Sequence, residues 1–323
     1  MVDATYFDNF RQYLSKHIIG QHQLIDSMLI CLLSDGHILV EGMPGLAKTT
    51  AVKSLAEAIE GDFHRIQFTP DLLPADLIGT DIYQHERGEF EFRAGPLFHN
   101  VILADEINRA PPKVQSALLE AMGERQITVG QNTYKLANLF MVLATQNPVE
   151  HEGTYTLPEA QLDRFLLYVK VDYPNKQEEL QILELMEKQQ LEGFSKAEPA
   201  TEYHLSQAEV LEARKTAMQL YLYPKLKEYI IDIVQASRYP AKFDKDLQRW
   251  QRFGASPRAS IALSRCARAL AWLQGEQYVS PEHIQAIAPD ILRHRILLSF
   301  EAEADGITTE DFIQKLLQVV AIP

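Results

Sequence analysis

The stretch that decides the fold runs from Val40 to Thr50 and reads Val-Glu-Gly-Met-Pro-Gly-Leu-Ala-Lys-Thr-Thr. It follows the apolar run His37–Val40, which is typical of a buried strand, and it precedes segment 51–59, whose residues favour a helix. A strand, a glycine-containing loop, Lys-Thr and a helix form the layout of a phosphate-binding P-loop. The sequence therefore predicts a nucleotide-binding α/β domain.

Each polar group of this loop has an expected role on bound phosphates. Gly42 and Gly45 let backbone N–H groups surround the phosphates, and Lys48 adds a full positive charge. Thr49 carries a hydroxyl in the position that ligates Mg²⁺. Ala47 stands where the general pattern G-x-x-x-x-G-K-[ST] has its second glycine, and its small side chain suits a helix start. The expected binding residues of the loop are Gly42, Pro44, Gly45, Leu46, Ala47, Lys48, Thr49 and Thr50.

Chain length, net charge and cysteine content restrict the kinds of protein that this sequence can be. A chain of 323 residues exceeds what one core usually holds, which predicts two domains. The net charge of −13 argues against a surface that coats DNA. Cys31 and Cys266 lie far apart among apolar neighbours, which favours two buried free thiols in a reducing compartment. Because the N-terminus shows no basic region followed by an apolar core, we expect a cytoplasmic protein.

Apolar strands alternate with helical segments over the first half of the chain, which predicts a parallel sheet covered on both faces. A helical region over 7–34, interrupted at Ile18–Gln21, precedes the sheet. Segments 81–93 and 126–136 alternate apolar and polar residues around a glycine and are predicted as inserted β-hairpins. The five predicted strands are His37–Val40, Phe63–Gln67, Val101–Ala104, Leu139–Thr145 and Phe165–Val171.

After about residue 175 the pattern becomes helical, and no further strand is predicted. Segment 191–202 has the composition of a linker, so we expect one domain over 1–190 and a helical one over 191–323. The predicted helices are Glu178–Gln190, Ser206–Leu220, Pro224–Ser237, Pro257–Leu273, Pro281–Leu298 and Thr309–Ala321.

Further polar residues stand where strands and helices end or begin. Asp105 and Glu106 follow an apolar strand, and the carboxyl ends of parallel strands form the ligand-binding edge, so this pair should meet Lys48. Asp105 can hold the water shell of Mg²⁺, and Glu106 can take a proton from an attacking water. Asn147 follows the next strand and can orient that water. Arg258 stands in the first turn of a helix, where a cation is disfavoured unless an anion accompanies it.

The joint pattern resembles the MoxR family of AAA+ ATPases over nearly the whole chain. Five features follow one another along the chain in the order found in an AAA+ ATPase: the P-loop, Asp105-Glu106, Asn147, Arg164 and Arg258. Gly-Met-Pro-Gly-Leu-Ala-Lys-Thr, with its alanine, is similar to the P-loop of that family. Three further segments carry the resemblance: 68–76 (Phe-Thr-Pro-Asp-Leu-Leu-Pro-Ala-Asp), 105–110 (Asp-Glu-Ile-Asn-Arg-Ala) and 157–165 (Leu-Pro-Glu-Ala-Gln-Leu-Asp-Arg-Phe).

The resemblance implies roles that the spacing alone does not give. Ile18–Gln21, including Gly20 and Gln21, would contact the adenine of ATP. Asn147 would be sensor 1, and Arg164 would be the arginine finger that reaches the ATP of a neighbouring subunit. Arg258 would be sensor 2 on the lid, acting within or between subunits, and an extra helix within 206–237 would reposition that lid.

The resemblance also implies an assembly and a task. The fold would be an αβα P-loop sandwich with a five-stranded parallel sheet, a helix-2 insert hairpin, a pre-sensor-1 hairpin and a helical lid. Members form hexameric rings and are thought to remodel a protein client, often with a partner that carries a von Willebrand factor A domain.

Two other functions stay open at this point. A DNA-acting AAA+ ATPase would share the hairpins, although the net charge and the glutamates at the tip of the first hairpin disfavour it. A nucleotide-gated scaffold without turnover would have little use for both Glu106 and Arg164.

Overall fold

The computed structural model describes residues 4–42, 48–86, 88–147, 153–192 and 205–323. The strands in chain order are β1 Ile38–Gly42, β2 Phe63–Gln67, β3 Gly79–Gln84, β4 Glu89–Ala94, β5 Val101–Asp105, β6 Gln126–Val129, β7 Asn132–Lys135, β8 Met141–Gln146, β9 Leu167–Val171, β10 Gln251–Phe253 and β11 Leu297–Leu298. The helices are α1 Ala4–His17, α2 His22–Leu33, α3 Lys48–Ala58, α4 Pro74–Ile78, α5 Pro112–Glu124, α6 Glu159–Leu162, α7 Lys176–Glu192, α8 Gln207–Gln219, α9 Pro224–Arg238, α10 Lys245–Trp250, α11 Pro257–Leu273, α12 Pro281–Leu292, α13 Phe300–Ala304 and α14 Thr309–Val319.

Five of these strands form one parallel sheet in the order β2-β5-β8-β1-β9. Its central strands are buried on both faces, which explains why their sequences are continuously apolar. Within β1, Ile38 and Val40 join the hydrophobic cluster on one face, and Leu39 joins the cluster on the other. The predicted αβα arrangement of the sheet is confirmed.

The helical lid shares a core with one face of the sheet. Leu29 of α2 and Leu55 of α3 lie in the same cluster as Ile233 of α9, Leu263 of α11 and Ile287 of α12. The opposite face is covered mainly by α4 and α5. One hydrophobic core therefore runs from the sheet into the lid, so the lid packs directly against this face of the sheet.

Both predicted hairpins are present, formed by the antiparallel pairs β3–β4 and β6–β7. Phe92 of the first hairpin stacks on Tyr134 of the second, with ring centroids 4.1 Å apart. Phe90 lies on the same face of β4 as Phe92, yet it is 71% exposed beside Tyr83. Phe92 therefore joins the two hairpins, whereas Phe90 meets solvent.

Two predictions for the lid are wrong. A short antiparallel ribbon, β10–β11, lies in the region where no strand was predicted. The helix predicted over 281–298 ends at Leu292, because Leu297 and Leu298 pair with β10 instead of continuing α12. Helical spacing of apolar residues extends through both leucines, and a strand partner more than 40 residues away leaves no local signal.

Two further properties bear on the class of protein. Cys31 and Cys266 are both buried and free, as the sequence predicts. None of the helices in the described part of the chain has the length and apolar character that crossing a bilayer requires.

Candidate functional site

The carboxyl edge of the sheet brings together Lys48, Asp105 and Glu106 of the predicted site. The register pairs Gln67 with Asp105, and Glu41 with Gln146, so β1, β2, β5 and β8 end together. Asn147, which is half-buried, follows β8 directly at this edge. Ligands of parallel α/β sheets bind at this edge.

Lys48 opens α3 beside the end of β1. Its Nζ donates a hydrogen bond to the Gly42 carbonyl at 2.8 Å. Burial lowers the pKa of Lys48, while the carboxylates of Asp105 and Glu106 oppose that shift. Thr49 and Thr50 occupy the first turn of α3. The other loop residues predicted to bind phosphate, Pro44, Gly45, Leu46 and Ala47, lie outside the described residues.

Asp105 is held by two residues that sequence reasoning missed. The Thr145 hydroxyl donates to Asp105 Oδ1 at 2.6 Å and accepts the backbone N–H of Glu106 at 2.9 Å. Arg65 donates to Asp105 Oδ2 at 2.6 Å from Nη2 and at 3.2 Å from Nε. Only the strand order reveals these partners, because β2 and β8 flank β5 in the sheet but not in the sequence.

Glu106 has a strained backbone and a restrained carboxylate. Its φ of 57° lies in the left-handed region, which costs a glutamate about 1–3 kcal/mol. Gln67 Nε2 donates to Glu106 Oε2 at 2.9 Å, and Arg109 Nε lies 3.0 Å from the same oxygen. Strain of this kind persists where the surrounding structure fixes it, and it concentrates at functional sites. Gln67 and Arg109 were also missed by the sequence analysis.

Gly20 and Gln21 lie near the carboxyl end of β9. Gly20 has a φ of +76°, and a Cβ placed on it would come within 3.0 Å of the Glu178 carboxylate. Gln21 is buried, and its Nε2 donates to the Asp172 carbonyl at 3.5 Å. The structure therefore brings these two residues to the same edge as β1 and Lys48, where the resemblance puts the adenine.

Arg164 lies at the opposite edge of the sheet. It precedes β9, whose first residue, Leu167, pairs with the first residue of β1, Ile38. Lys48 follows the other end of β1, so the length of a five-residue strand, about 15 Å, separates the two sites. Arg164 Nη1 donates to the Leu119 carbonyl at 2.6 Å.

Arg258 lies beside Arg164 at the amino edge, not beside Lys48. Both arginines line one cavity of about 270 Å³, together with Arg125 and Arg265. The Nε atom of Arg258 lies 4.0 Å from Asp163 Oδ2, and its side chain is 54% exposed. Asp163 is thus an anion of the kind that a cation at a helix N-terminus requires.

Comparisons with known proteins identify the family. A family model for the ATPase family associated with various cellular activities (AAA) matches residues 37–167, and one for the AAA lid domain matches residues 248–316. Chaperone MoxR1 of Mycobacterium tuberculosis is 47% identical over 96% of this chain and 80% of its own length. The chain belongs to the MoxR family of AAA+ ATPases.

Two further comparisons agree with membership of the MoxR family. The uncharacterized YeaC protein of Bacillus subtilis is 44% identical over 97% of this chain and 93% of its own length. The crystal structure of a candidate ATPase from Cytophaga hutchinsonii, 46% identical, superposes with a TM-score of 0.91 over 99% of this chain and 96% of that one. The fold is therefore that of a MoxR-type AAA+ protein with a helical lid.

The carboxyl edge fits a nucleotide with Mg²⁺. The Asp105 carboxylate and the Thr49 hydroxyl offer oxygen ligands, which Mg²⁺ prefers. One or two protein carboxylates are enough to bind Mg²⁺ when phosphates and water complete its ligand shell. The start of α3 and the half-buried Lys48 ammonium supply positive potential for the phosphates.

Proposed function

We propose that this MoxR-family protein binds and hydrolyses ATP and uses the energy for chaperone-like remodelling of a protein client. The observation that carries the proposal is the pairing of Lys48 with Asp105 and Glu106 at the carboxyl edge of the sheet. Family membership supports the same reaction.

The proposed reaction is phosphoanhydride hydrolysis by water. Lys48 and the N-terminus of α3 hold the phosphates, and Thr49 and Asp105 hold Mg²⁺. When bound, Mg²⁺ offsets the negative charge that develops on the phosphate oxygens. Glu106 accepts a proton from the attacking water, and Asn147 orients that water. Gln67 and Arg109 both contact Oε2 of Glu106, so Oε1 is the oxygen proposed to accept the proton of water.

The site is proposed to be completed by a second copy of the chain. Arg164 and Arg258 share a cavity at the amino edge, and a strand length of about 15 Å separates Arg164 from Lys48 of the same chain. A head-to-tail ring would bring the amino edge of one subunit to the carboxyl edge of the next. This geometry supports Arg164 as a finger in trans, and it favours Arg258 acting between subunits as well.

The wider biological setting is proposed from family membership. We propose a ring, with six subunits as the expected size, in the cytoplasm, with a partner that carries a von Willebrand factor A domain. The division into an ATPase core over 1–190 and a linker plus lid over 191–323 is likewise a proposal; most of that linker lies outside the described residues.

The reaction is tested by comparing Glu106→Gln with Lys48→Ala. Glu106→Gln should bind ATP normally and lose turnover, because an amide cannot accept the proton of water. Lys48→Ala should weaken ATP binding itself, because a cation over the phosphates is removed. Glu120→Gln, on an exposed face of α5, is the matched control and should change neither property. Equal loss of ATP affinity in Glu106→Gln and Lys48→Ala would contradict the assigned roles.

The first hairpin supplies a surface for the proposed client. Phe90 and Tyr83 are exposed and in contact, and aromatic side chains are enriched at protein–protein interfaces. Phe90→Ala should keep basal ATPase activity and remove stimulation by a client. Phe92→Ala is the informative comparison, because it breaks the stack on Tyr134 and should lower thermal stability. Tight binding of duplex DNA at moderate salt would instead favour a DNA-acting ATPase.

A further inference from the structure

The loop that carries Arg164 is held by a second arginine, which comes from the lid. Arg295 follows α12, and its side chain is only 2% exposed. Its Nη2 donates to the Phe165 carbonyl at 2.6 Å and to the Asp163 carbonyl at 3.3 Å. Its Nη1 donates to the Leu166 carbonyl at 3.3 Å. The guanidinium therefore bonds the carbonyls on both sides of Arg164.

Asp163 supplies the counter-charge and extends the contact to α11. Arg295 Nε donates to Asp163 Oδ1 at 2.8 Å, and the Ser256 hydroxyl donates to Asp163 Oδ2 at 2.8 Å. Arg258 approaches the same oxygen at 4.0 Å. A cation buried this deeply needs such a partner, because an unpaired buried charge is strongly destabilising. One carboxylate thus connects the loop before β9 to Arg295 and Arg258 of the lid.

We infer that Arg295 is a positioning residue for the arginine finger, which sets Arg164 in the geometry that reaches a neighbouring subunit. This inference rests on the finger role proposed above for Arg164. Within the described part of the chain, the hydrogen bonds of Arg295 go to the loop at the amino edge and to Ile291 of α12, away from Lys48. Its effect should therefore fall on what a subunit gives to its neighbour and spare what that subunit does with its own ATP.

The matched control is Arg293, two residues earlier. Arg293 is also largely buried, carries the ion pairs with Asp290 and Glu310, and bonds a carbonyl of β9, that of Tyr168, at 2.6 Å. Its contacts join the lid to the second residue of β9, within the strand, and not to the carbonyls of residues 163–166 that Arg295 bonds. A purely structural role for such lid arginines predicts similar behaviour for Arg293→Gln and Arg295→Gln.

The test measures ATP turnover of variants alone and mixed into common rings. Arg295→Gln should lose turnover by about 10²-fold, the effect typical of a misplacement of about 1 Å, while it keeps its ATP affinity. Mixed with Lys48→Ala, it should regain turnover, because an intact P-loop then meets an intact finger. Mixed with Arg164→Ala, it should regain none, because neither subunit supplies a positioned finger. Arg293→Gln should retain turnover at a comparable loss of thermal stability.

Three results would overturn the inference. The first is full turnover of Arg295→Gln alone, and the second is an equal loss of turnover in Arg293→Gln. The third is no recovery with Lys48→Ala when the mixture of Arg164→Ala and Lys48→Ala does recover. That last mixture is the internal standard: if it also stays inactive, the finger role itself fails. If Arg295→Gln does not fold, Arg295→Lys keeps the charge with fewer carbonyl contacts and should show the same pattern with a smaller loss.

Discussion

The two edges of the central sheet differ in the charge they present and in what holds it. At the carboxyl edge, Asp105 and Glu106 are oriented by side chains of the neighbouring strands, such as Thr145 and Gln67. At the amino edge, Arg164 and its loop are oriented by backbone carbonyls and by the lid. The length of strand β1, about 15 Å, separates Lys48 from Arg164 in one chain, so the proposed phosphate site and the proposed finger lie apart. The difference suggests that turnover depends on contact between copies.

The prediction with the largest expected effect concerns two variants: one lacks the proposed finger at the amino edge, and the other lacks the lysine at the carboxyl edge. Arg164→Ala should lose about 10³–10⁵-fold in turnover, the effect of an arginine finger supplied in trans. Mixing it with inactive Lys48→Ala should restore activity, because some junctions then combine an intact P-loop with an intact finger. Turnover per subunit should also rise with protein concentration. Arg249→Ala, which removes an exposed lid arginine paired with Asp305, is the control and should be active alone.

A monomeric ATPase would behave differently in the same experiment. Turnover per subunit would then be independent of concentration, and mixing Arg164→Ala with Lys48→Ala would restore nothing.

We also expect the buried histidines at the amino edge to make the folding stability of the protein sensitive to acid. His37 at this edge accepts the Val142 N–H at 3.1 Å, and burial lowers its pKa to about 4, helped by Arg125 and opposed by the Met122 carbonyl and Asp35. Burial also lowers the pKa of His294. The unfolded chain therefore binds more protons than the folded one between pH 6.5 and 4, so stability falls as pH falls through that window.

For His37 alone, the loss between pH 7.5 and 5 is about 2 kcal/mol in the free energy of unfolding. Urea unfolding at the two pH values measures it. His37→Gln should be less stable at pH 7.5 but should show a smaller difference between the two values. An unchanged difference in the variant would assign the acid sensitivity elsewhere.

The carboxyl edge is probed through Thr145, whose hydroxyl joins Asp105 to the backbone of Glu106. Thr145→Val keeps the shape and removes both hydrogen bonds. Loss of such an outer partner of a metal-binding carboxylate typically costs about 10–100-fold in activity. Turnover should fall by that amount with ATP affinity little changed, whereas Thr145→Ser, which keeps the hydroxyl, should stay close to the native protein. Equal turnover in the two variants would mean that the hydroxyl does not orient the acids.

Much of the fold could be predicted because its signals are local. The buried strands are continuously apolar, and the helices predicted to start at Ser206 and Pro257 are capped by Ser206 and Ser256. The strand pair β10–β11 could not be predicted, because its two partners are separated by α11 and α12. Long-range pairing of short segments leaves no periodic trace in the sequence.

The residues of the candidate site likewise fall into those that the sequence predicts and those that only the structure reveals. Lys48 and Asp105 carry motifs that chemistry explains locally, and their placement at one edge follows from the parallel sheet. Arg65, Thr145 and Arg295 act through neighbours distant in sequence, so only the strand order and the lid packing reveal them. Arg164 stands directly before the predicted strand Phe165–Val171, so a parallel sheet already places it at the edge opposite Lys48. Which side chains and carbonyls hold it there could not be predicted, because they come from α5 and the lid.

The smallest expected loss of turnover comes from Gly123→Ala, because the absence of a side chain at Gly123 leaves room for Arg164. A Cβ on Gly123 would lie 2.4 Å from Arg164 Nη1, so Gly123→Ala must push the guanidinium away from the Leu119 carbonyl. A side chain forced off its rotamer costs about 0.5–1.5 kcal/mol, which predicts a loss of turnover of about threefold to tenfold. Alanine favours the helix over glycine by about 0.5–1 kcal/mol, so thermal stability should not fall with the activity. In Arg164→Ala the same change should have no further effect on turnover, because the side chain it displaces is absent. A loss of turnover that persists in that double variant would show that Gly123 acts through the packing of α5 and not through the finger.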